Sequence, residues 1–367
     1  MKRIYFDYNG TTPIYHKIKD NIDEIIDCYS FKNPSAIHYF GQGGKYIVHQ
    51  VNDLIKNKLS ASNYSIIHTS CCTEANNQII NTFKGMQIFV SAIEHHAVLE
   101  VANINGKCET ISVGQKGLID LSILENMLQK FREKEPDKKF LCSVMLVNNE
   151  VGVVQDVKKI AEIVHKYNGL IHSDITQAVM KMNVNLNDLD LDYATFSGHK
   201  IYAGQSGVLL YKNGKVVKPM IYGGGQQKYL RAGTENVLSL LFLQEVFNDY
   251  EEIIAKYHQT NKLRKQVEDE IIKIGKWEIV GVESSRICNT IGLITDDDSM
   301  TKLIQFDSDG FAVGVGAACS SGQVETSHVL RAMGFSNQKS ASFIRISFGI
   351  YTTPEEVEGL IEYLKKT

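Results

Sequence analysis

The stretch Leu141-Cys142-Ser143-Val144-Met145-Leu146-Val147, followed by Asp156 to Tyr167 and then by Gly169-Leu170-Ile171-His172-Ser173, decides the fold. The first run is short and apolar, as a strand inside a sheet requires. Asp156 to Tyr167 places Val157, Ile160, Ala161 and Val164 on one helical face, and Gly169 ends that pattern before a second apolar run at Leu170 to Ser173. Strand, helix and strand in succession predict parallel pairing with a crossover helix. Outward from this unit, Ile88 to Ala92, Asp192 to Ser197 and Val208 to Tyr211 read as further strands, the last preceded by the turn Ala203-Gly204-Gln205-Ser206-Gly207. The expectation is an α/β fold with a mostly parallel sheet flanked by helices, and functional residues just after its strands. From Phe247 a charged amphipathic helix runs to about Lys273. The strands Thr290 to Ile294 and Phe343 to Ser347 and a last helix, Pro354 to Lys366, follow as a separate α+β unit. The boundary falls near residue 250.

Composition narrows the classes. The 367 residues suffice for about two domains with a substantial core, and 43% hydrophobic against 22% charged residues argue against disorder. A formal charge of −3 gives no bias toward nucleic acid, and no run approaches a membrane span. The seven cysteines are odd in number and scattered, without C-x-x-C pairs or zinc-ligand spacing, so neither a disulfide scaffold nor a metal site is expected. Met1-Lys2-Arg3-Ile4-Tyr5-Phe6-Asp7 is not followed by an apolar stretch of signal-peptide length. These features predict a soluble protein of a reducing, cytoplasmic compartment.

Phe196-Ser197-Gly198-His199-Lys200 sets a lysine directly after a strand among small and polar residues. Most lysines at strand ends are solvated charges, but one in such a setting can serve as a Schiff-base amine. Asp174 ends another strand in Ile171-His172-Ser173-Asp174-Ile175-Thr176-Gln177, and parallel strands bring the two ends to one rim. An acid that keeps a pyridine nitrogen protonated, paired with such a lysine, is the usual protein contribution to pyridoxal phosphate chemistry. Taken alone, Asp174 fits a helix N-cap equally well. Thr69-Ser70-Cys71-Cys72-Thr73-Glu74 supplies a strand-to-helix junction at which a phosphate, or ordinary capping, is accommodated. Tyr222-Gly223-Gly224-Gly225-Gln226-Gln227 and Arg231-Ala232-Gly233-Thr234 form a second polar loop.

With these residues in view, the chain resembles the cysteine desulfurases, pyridoxal-phosphate enzymes of aminotransferase class V. The likeness runs through Phe6 to Pro13, Asn33-Pro34-Ser35-Ala36-Ile37-His38, Glu94-His95-His96-Ala97-Val98 and Val147-Asn148-Asn149-Glu150-Val151-Gly152. It continues through Asp174 to Gln177, Ser197 to Lys200, Arg231 to Thr234, Gly316 to Ser321, Val329 to Gly334 and Ile344 to Ser347. It implies the fold type I architecture: a large domain over residues 15–250 with a seven-stranded-type sheet, and a small one from 1–14 and 251–367. Residue by residue it implies Lys200 as the amine that carries pyridoxal 5'-phosphate, Asp174 at the ring nitrogen, and Gln177 and Asn149 at the ring hydroxyl. His95 would stack on the ring and shuttle protons, and His96 receives no role. Thr73, Ser197 and His199 would hold the phosphate with Cys72 beside it, and Thr234 would reach the phosphate of a neighbouring subunit in a homodimer. Arg345 would clamp the substrate carboxylate, with Asn33 a further candidate there; an arginine in a strand otherwise reads as a structural ion pair.

Cys319 matches the family's nucleophile, in a small-residue stretch from Gly314 to Gln323, and Cys319 to Leu330 has the length of the long-loop class. The implied reaction converts L-cysteine to L-alanine and leaves a persulfide on Cys319 for a sulfur-acceptor protein of iron–sulfur cluster assembly or tRNA thiolation. Another pyridoxal enzyme (selenocysteine lyase, cysteine lyase or aminotransferase) and a non-catalytic partner-binding relative are the competing readings. The chain departs from the family at Cys71-Cys72, where Gly-Ala is usual, at the shorter turn Ala203 to Ser206, at Ala317 and His328 in place of Ser and Tyr, and in a short end after the last helix. The paired cysteines read as small apolar side chains or as a secondary redox site.

Overall fold

The computed structural model describes residues 3–316 and 326–366. In chain order its strands are β1 (Ile4–Phe6), β2 (Tyr64–Thr69), β3 (Gln87–Ser91), β4 (Cys108–Ile111), β5 (Phe140–Ser143), β6 (Leu170–Asp174) and β7 (Tyr193–Ser197). β8 (Gly207–Lys212), β9 (Glu278–Val280), β10 (Thr290–Ile294), β11 (Phe311–Val315) and β12 (Phe343–Ser347) complete the set. Seven of them form one sheet in the order β2-β8-β7-β6-β5-β3-β4, and the other five form a second in the order β1-β11-β12-β10-β9. In the larger sheet β4, β3, β5, β6 and β7 run parallel, and only β8 opposes its neighbours. Because β2 is antiparallel to β8, it points the same way as β7. The C-terminal ends of β2, β3, β5, β6 and β7 therefore open on one edge.

The deciding stretch behaves as its pattern dictates. Helix Val157–Lys166 buries Val157, Ile160, Ala161 and Val164 in the core, the valines and the isoleucine contributing roughly 1.5–3 kcal/mol apiece. Gly169 follows because a Cβ there would stand 2.2 Å from the Phe140 ring. The apolar run of the first strand is longer than the strand itself. Regular pairing stops at Ser143, yet Val144 and Leu146 still donate to the carbonyls of His172 and Asp174 (both 3.0 Å). Their side chains stay buried as the chain leaves the ladder for the loop that carries Asn148 and Asn149.

The helix expected from Phe247 is two helices, Val237–Asn248 and Tyr250–Ile274, broken at Asp249. Asp249 accepts from Tyr15 Oη (2.9 Å) and pairs with Lys17 (2.6 Å), so this junction is tied to the N-terminal segment. Periodicity continues across the break because both helices bury apolar faces on the same core. The smaller sheet is covered by Val267, Ile271, Phe306, Leu360 and Leu364, and it takes its edge strand from the very start of the chain. That edge places Asp7, Asn9 and Gly10 beside β7 and β12.

Candidate active site

At the common C-terminal edge lies a cavity of about 570 Å³, within the range of small-molecule sites. Cys71, Cys72 and Thr73 follow β2, and His95 follows β3. Asn149 follows β5, Asp174 and Gln177 end and follow β6, and Ser197, His199 and Lys200 end and follow β7. Arg345 enters from β12 of the smaller sheet. Ten sequence-predicted residues are thus brought together, nine from the ends of five strands and Arg345 from the middle of β12.

Lys200 lies in a short 3-10 turn immediately after β7. Its Nζ donates to Asn9 O at 2.6 Å and to Gly10 O. Burial, reinforced by Arg345 and opposed by Asp7 and Asp174, pushes its pKa down to about 8. An amine so placed is a far better nucleophile near neutrality than a surface lysine. Asp174 ends β6 at a turn and not at a helix N-terminus, and its carboxylate lines the cavity. Its Oδ1 accepts from Thr176 N (2.9 Å), closing a turn, while Oδ2 accepts from Asn76 Nδ2 (2.8 Å).

Cys72 resolves the question raised by the paired cysteines. Its buried Sγ lies 3.6 Å from Asp174 Oδ2 and accepts from Thr176 Oγ1 (3.3 Å). Burial first, then Asp174, holds its pKa well above the ordinary thiol value, so it stays a protonated donor to the carboxylate. Cys71 is the N-cap of helix Cys72–Thr82 but gives no side-chain capping bond. The orphan N–H groups of that helix, with Thr73, Ser197, His199 and Lys200 on the same wall, are the donor set that an anion such as a phosphate requires. A Cβ on Gly207 would stand 2.3 Å from Cys71 O, so glycine lets β8 pass close beneath this loop. Ser197 Oγ donates to Ser206 O (3.2 Å), and His199 Nδ1 is 3.2 Å from Thr11 Oγ1.

His95 caps helix His96–Ile104, its Nδ1 accepting from Ala97 N (3.1 Å), which leaves the proton of the neutral ring on Nε2. Its ring is open to solvent through the cavity yet enclosed by protein elsewhere, and the enclosure pushes its pKa down, with Asp174 opposing. His96 packs against His328 with ring centroids 4.6 Å apart, and both line the cavity.

Arg345 is not unpartnered. Nη2 pairs with Asp7 Oδ1 (2.6 Å) and Nη1 donates to Asn149 O (2.9 Å), while Nε is buried without a partner. Two of the five guanidinium N–H bonds are thereby used, and the rest are left for another acceptor. Gly314 makes room, since a Cβ there would stand 2.7 Å from Nη2.

Asn33 and Thr234 are not at this cavity. Asn33 Oδ1 accepts from Ser35 N (3.0 Å) on a loop elsewhere, and Thr234 lines a separate depression with His68, Ser70 and Arg231. The loop of Asn33 borders a depression beside Tyr64, Ser65 and Tyr211 of β2 and β8, apart from the cavity. Cys319 lies outside the described residues.

Two residues given no role by sequence reasoning organise the site. Asn9 receives Lys200 and Gln177 Nε2 (3.1 Å) on its carbonyl and Lys181 Nζ (2.9 Å) on its side chain. Lys181, fully buried, also donates to Gln177 Oε1 (2.5 Å), which fixes the amide with its nitrogen on the Asn9 carbonyl; burial pushes the lysine's pKa down to about 7. The nearest sequence signal is the four-residue spacing from Gln177, one helical turn.

Buried imidazoles also set an acid limit. His68 and His172 have pKa values pushed down by burial to about 4, against 6.5 when unfolded. Below pH 6.5 the unfolded chain therefore binds protons that the fold refuses, so stability falls as pH drops from 6.5 toward 4. Unfolding free energies from denaturant titrations across that window should decline by on the order of 2 kcal/mol per pH unit. A flat profile would contradict the buried, neutral assignment.

The aminotransferase class-V family model matches residues 4–360. A cysteine desulfurase IscS of Dictyoglomus turgidum is 30% identical over 383 residues, covering 100% of this chain and 95% of that protein. Cysteine desulfurase IscS 1 of Archaeoglobus fulgidus is 30% identical over 377 residues, covering 98% and 95%. Among solved structures, a NifS-like protein from Rickettsia africae superposes with a TM-score of 0.90 at 34% identity, covering 99% of both chains. One described as SspA in complex with cysteine has a TM-score of 0.78 at 25% identity, covering 95% of this chain and 99% of that one. Full-length likeness of this kind, with the lysine, carboxylate and helix N-terminus at one rim, makes the chain a member of the class-V aminotransferase family, in its branch of IscS and NifS-like cysteine desulfurases.

Proposed function

We propose that the protein is a pyridoxal 5'-phosphate-dependent cysteine desulfurase that converts L-cysteine to L-alanine and transfers the sulfur to Cys319 as a persulfide. The observation that carries this reading is the convergence of the Lys200 amine, the Asp174 carboxylate and an uncapped helix N-terminus on one cavity. Bound pyridoxal phosphate supplies an electron sink for the substrate Cα. Thr73, Ser197 and His199 hold its phosphate, Asp174 keeps the ring-nitrogen proton, and Asn149 and Gln177 face the ring hydroxyl.

Arg345 binds the substrate carboxylate through N–H groups not used by Asp7 and Asn149. Lys200, the amine that would hold the cofactor, would move the substrate Cα proton, with His95 as the second proton carrier. The Cys319 thiolate attacks the substrate sulfur. A sulfur–sulfur bond forms as the Cβ–S bond breaks, and the electron pair left on the carbon skeleton is closed by protons to give alanine. The persulfide then passes to an acceptor protein, and the long-loop class of Cys319 to Leu330 suits such delivery in the cytoplasm.

A homodimer belongs to the same reading. Phe31, Ile37, Tyr39, Tyr222 and Tyr229 are each more than three-quarters exposed, on the loops that bear Asn33 and Thr234. A second copy that covers these side chains would carry Thr234, and with it Asn33, to its neighbour's cavity.

Arg345→Ala should raise KM for L-cysteine about 10- to 100-fold, the loss of a charge-assisted hydrogen bond, with kcat changed less. Arg345→Lys should restore little of it, because an ammonium cannot make the planar pair of bonds. Steady-state saturation curves check this, and unchanged saturation would remove the role. The function as a whole is tested by alanine formation from L-cysteine with the holoenzyme.

A further inference from the structure

We propose that Ser143, His172, Thr195 and Asn76 form a one-way hydrogen-bond chain that positions the Asp174 carboxylate. The inference rests on reading Asp174 as the partner of the cofactor's ring nitrogen and adds four positioning residues to it. The side chains come from three neighbouring parallel strands and the helix packed on them. Ser143 ends β5 opposite His172 of β6, and Asp174, two residues further along β6, stands opposite Thr195 of β7. Period-two alternation puts His172 and Asp174 on one face of the sheet. Asn76 reaches that face from helix Cys72–Thr82.

The direction of every bond follows from the carboxylate outward. A carboxylate only accepts, so the Asn76 atom 2.8 Å from Asp174 Oδ2 is the amide nitrogen. The Asn76 oxygen then faces Thr195 Oγ1 at 2.5 Å, and the threonine must donate. Thr195 has a single hydroxyl hydrogen, so His172 Nε2, 3.0 Å away, donates to it. A neutral imidazole with its proton on Nε2 accepts at Nδ1, where the Ser143 hydroxyl donates at 2.8 Å. All four residues are fully buried, so bulk solvent offers them no alternative partner. Burial holds the His172 pKa near 4, with Asp174 opposing, consistent with a neutral ring.

The consequence falls on Asp174. Asn76 and Cys72 occupy Oδ2 and Thr176 N occupies Oδ1, three of about four acceptor directions of a carboxylate. One direction, on Oδ1, is left for an incoming N–H. A chain of donors that all point the same way polarises each link and resists rotation of the carboxylate at its end.

The test uses holoenzyme labelled with ¹⁵N-histidine, the His172 signal being assigned by its absence in His172→Gln. At neutral pH the His172 ring should be neutral with its proton on Nε2, and Thr195→Val should move that proton to Nδ1, where Ser143 can turn and accept. A proton on Nδ1 or a charged ring in the parent protein would overturn the chain, whether or not any variant folds. Loading with ¹⁵N-labelled pyridoxal phosphate then reads the effect on the ring nitrogen. Thr195→Val should shift its signal toward the unprotonated position, and Thr195→Ser, which keeps the hydroxyl, should leave it at the parent position. A switched tautomer with no shift at the ring nitrogen would refute positioning. An unprotonated ring nitrogen in the parent protein would instead refute the role of Asp174, and the tautomer would still decide the chain.

Discussion

Lys200→Ala is expected to abolish the visible absorbance of bound cofactor and to lower alanine formation from L-cysteine by about 10³-fold or more, the scale of a lost proton-transfer group compounded by lost attachment. The size of the effect follows from how this amine is held. Its two acceptors are the carbonyls of Asn9 and Gly10, which orient it without supplying a negative charge, and burial brings its pKa down to about 8. Among the described residues no other lysine lines the cavity, and Lys181 is spent on the side chains of Gln177 and Asn9. Lys200→Arg should fail as well, because a guanidinium does not give up its proton. Borohydride reduction followed by peptide mass analysis checks the attachment point. A cofactor adduct on any other residue, or an unchanged spectrum in the alanine variant, would contradict the assignment.

Cys319→Ser separates sulfur capture from cofactor chemistry. The variant should retain the cofactor spectrum of the parent and lose sulfide release in the presence of a reductant down to background. The control is Cys71→Ser. Among the described thiols only Cys71 and Cys72 line the cavity, and Cys72 is kept protonated by burial and by Asp174. The Cys71 side chain makes no capping bond to the helix it precedes, so its replacement by serine should leave sulfide release in place. Full release by the Cys319 variant would favour a lyase, in which the sulfur leaves without passing through a persulfide.

The parallel unit from β5 to β6 was legible because each strand is buried on both faces and the crossover helix on one, so apolar spacing alone reports it. Lys200 and Asp174 were legible for a related reason: both stand at strand ends, and parallel strands share an edge. What could not be read depends on partners distant in sequence. Arg345 meets Asp7 from 338 positions away, and only the folded edge of the smaller sheet joins them. Asn9 and Asn76 are ordinary polar residues until the N-terminal segment and helix Cys72–Thr82 set them against Lys200 and Asp174. The break at Asp249 leaves no mark in the apolar pattern because the stripe runs on through it, and the residues that hold Asp249 there, Tyr15 and Lys17, come from the other end of the chain. Asn33 and Thr234 show the converse, a match in sequence whose place in the cavity one copy of the chain does not provide.

The account turns on whether the amine, the carboxylate and the thiol serve one reaction. The most direct measurement incubates the holoenzyme with L-cysteine, without reductant, and follows two products of the same turnover: free alanine, and the mass of the peptide that contains Cys319. Alanine should appear in equal amount with a gain of one sulfur atom on that peptide, removable by a thiol. Alanine without the added sulfur, or sulfur on another cysteine, would contradict it.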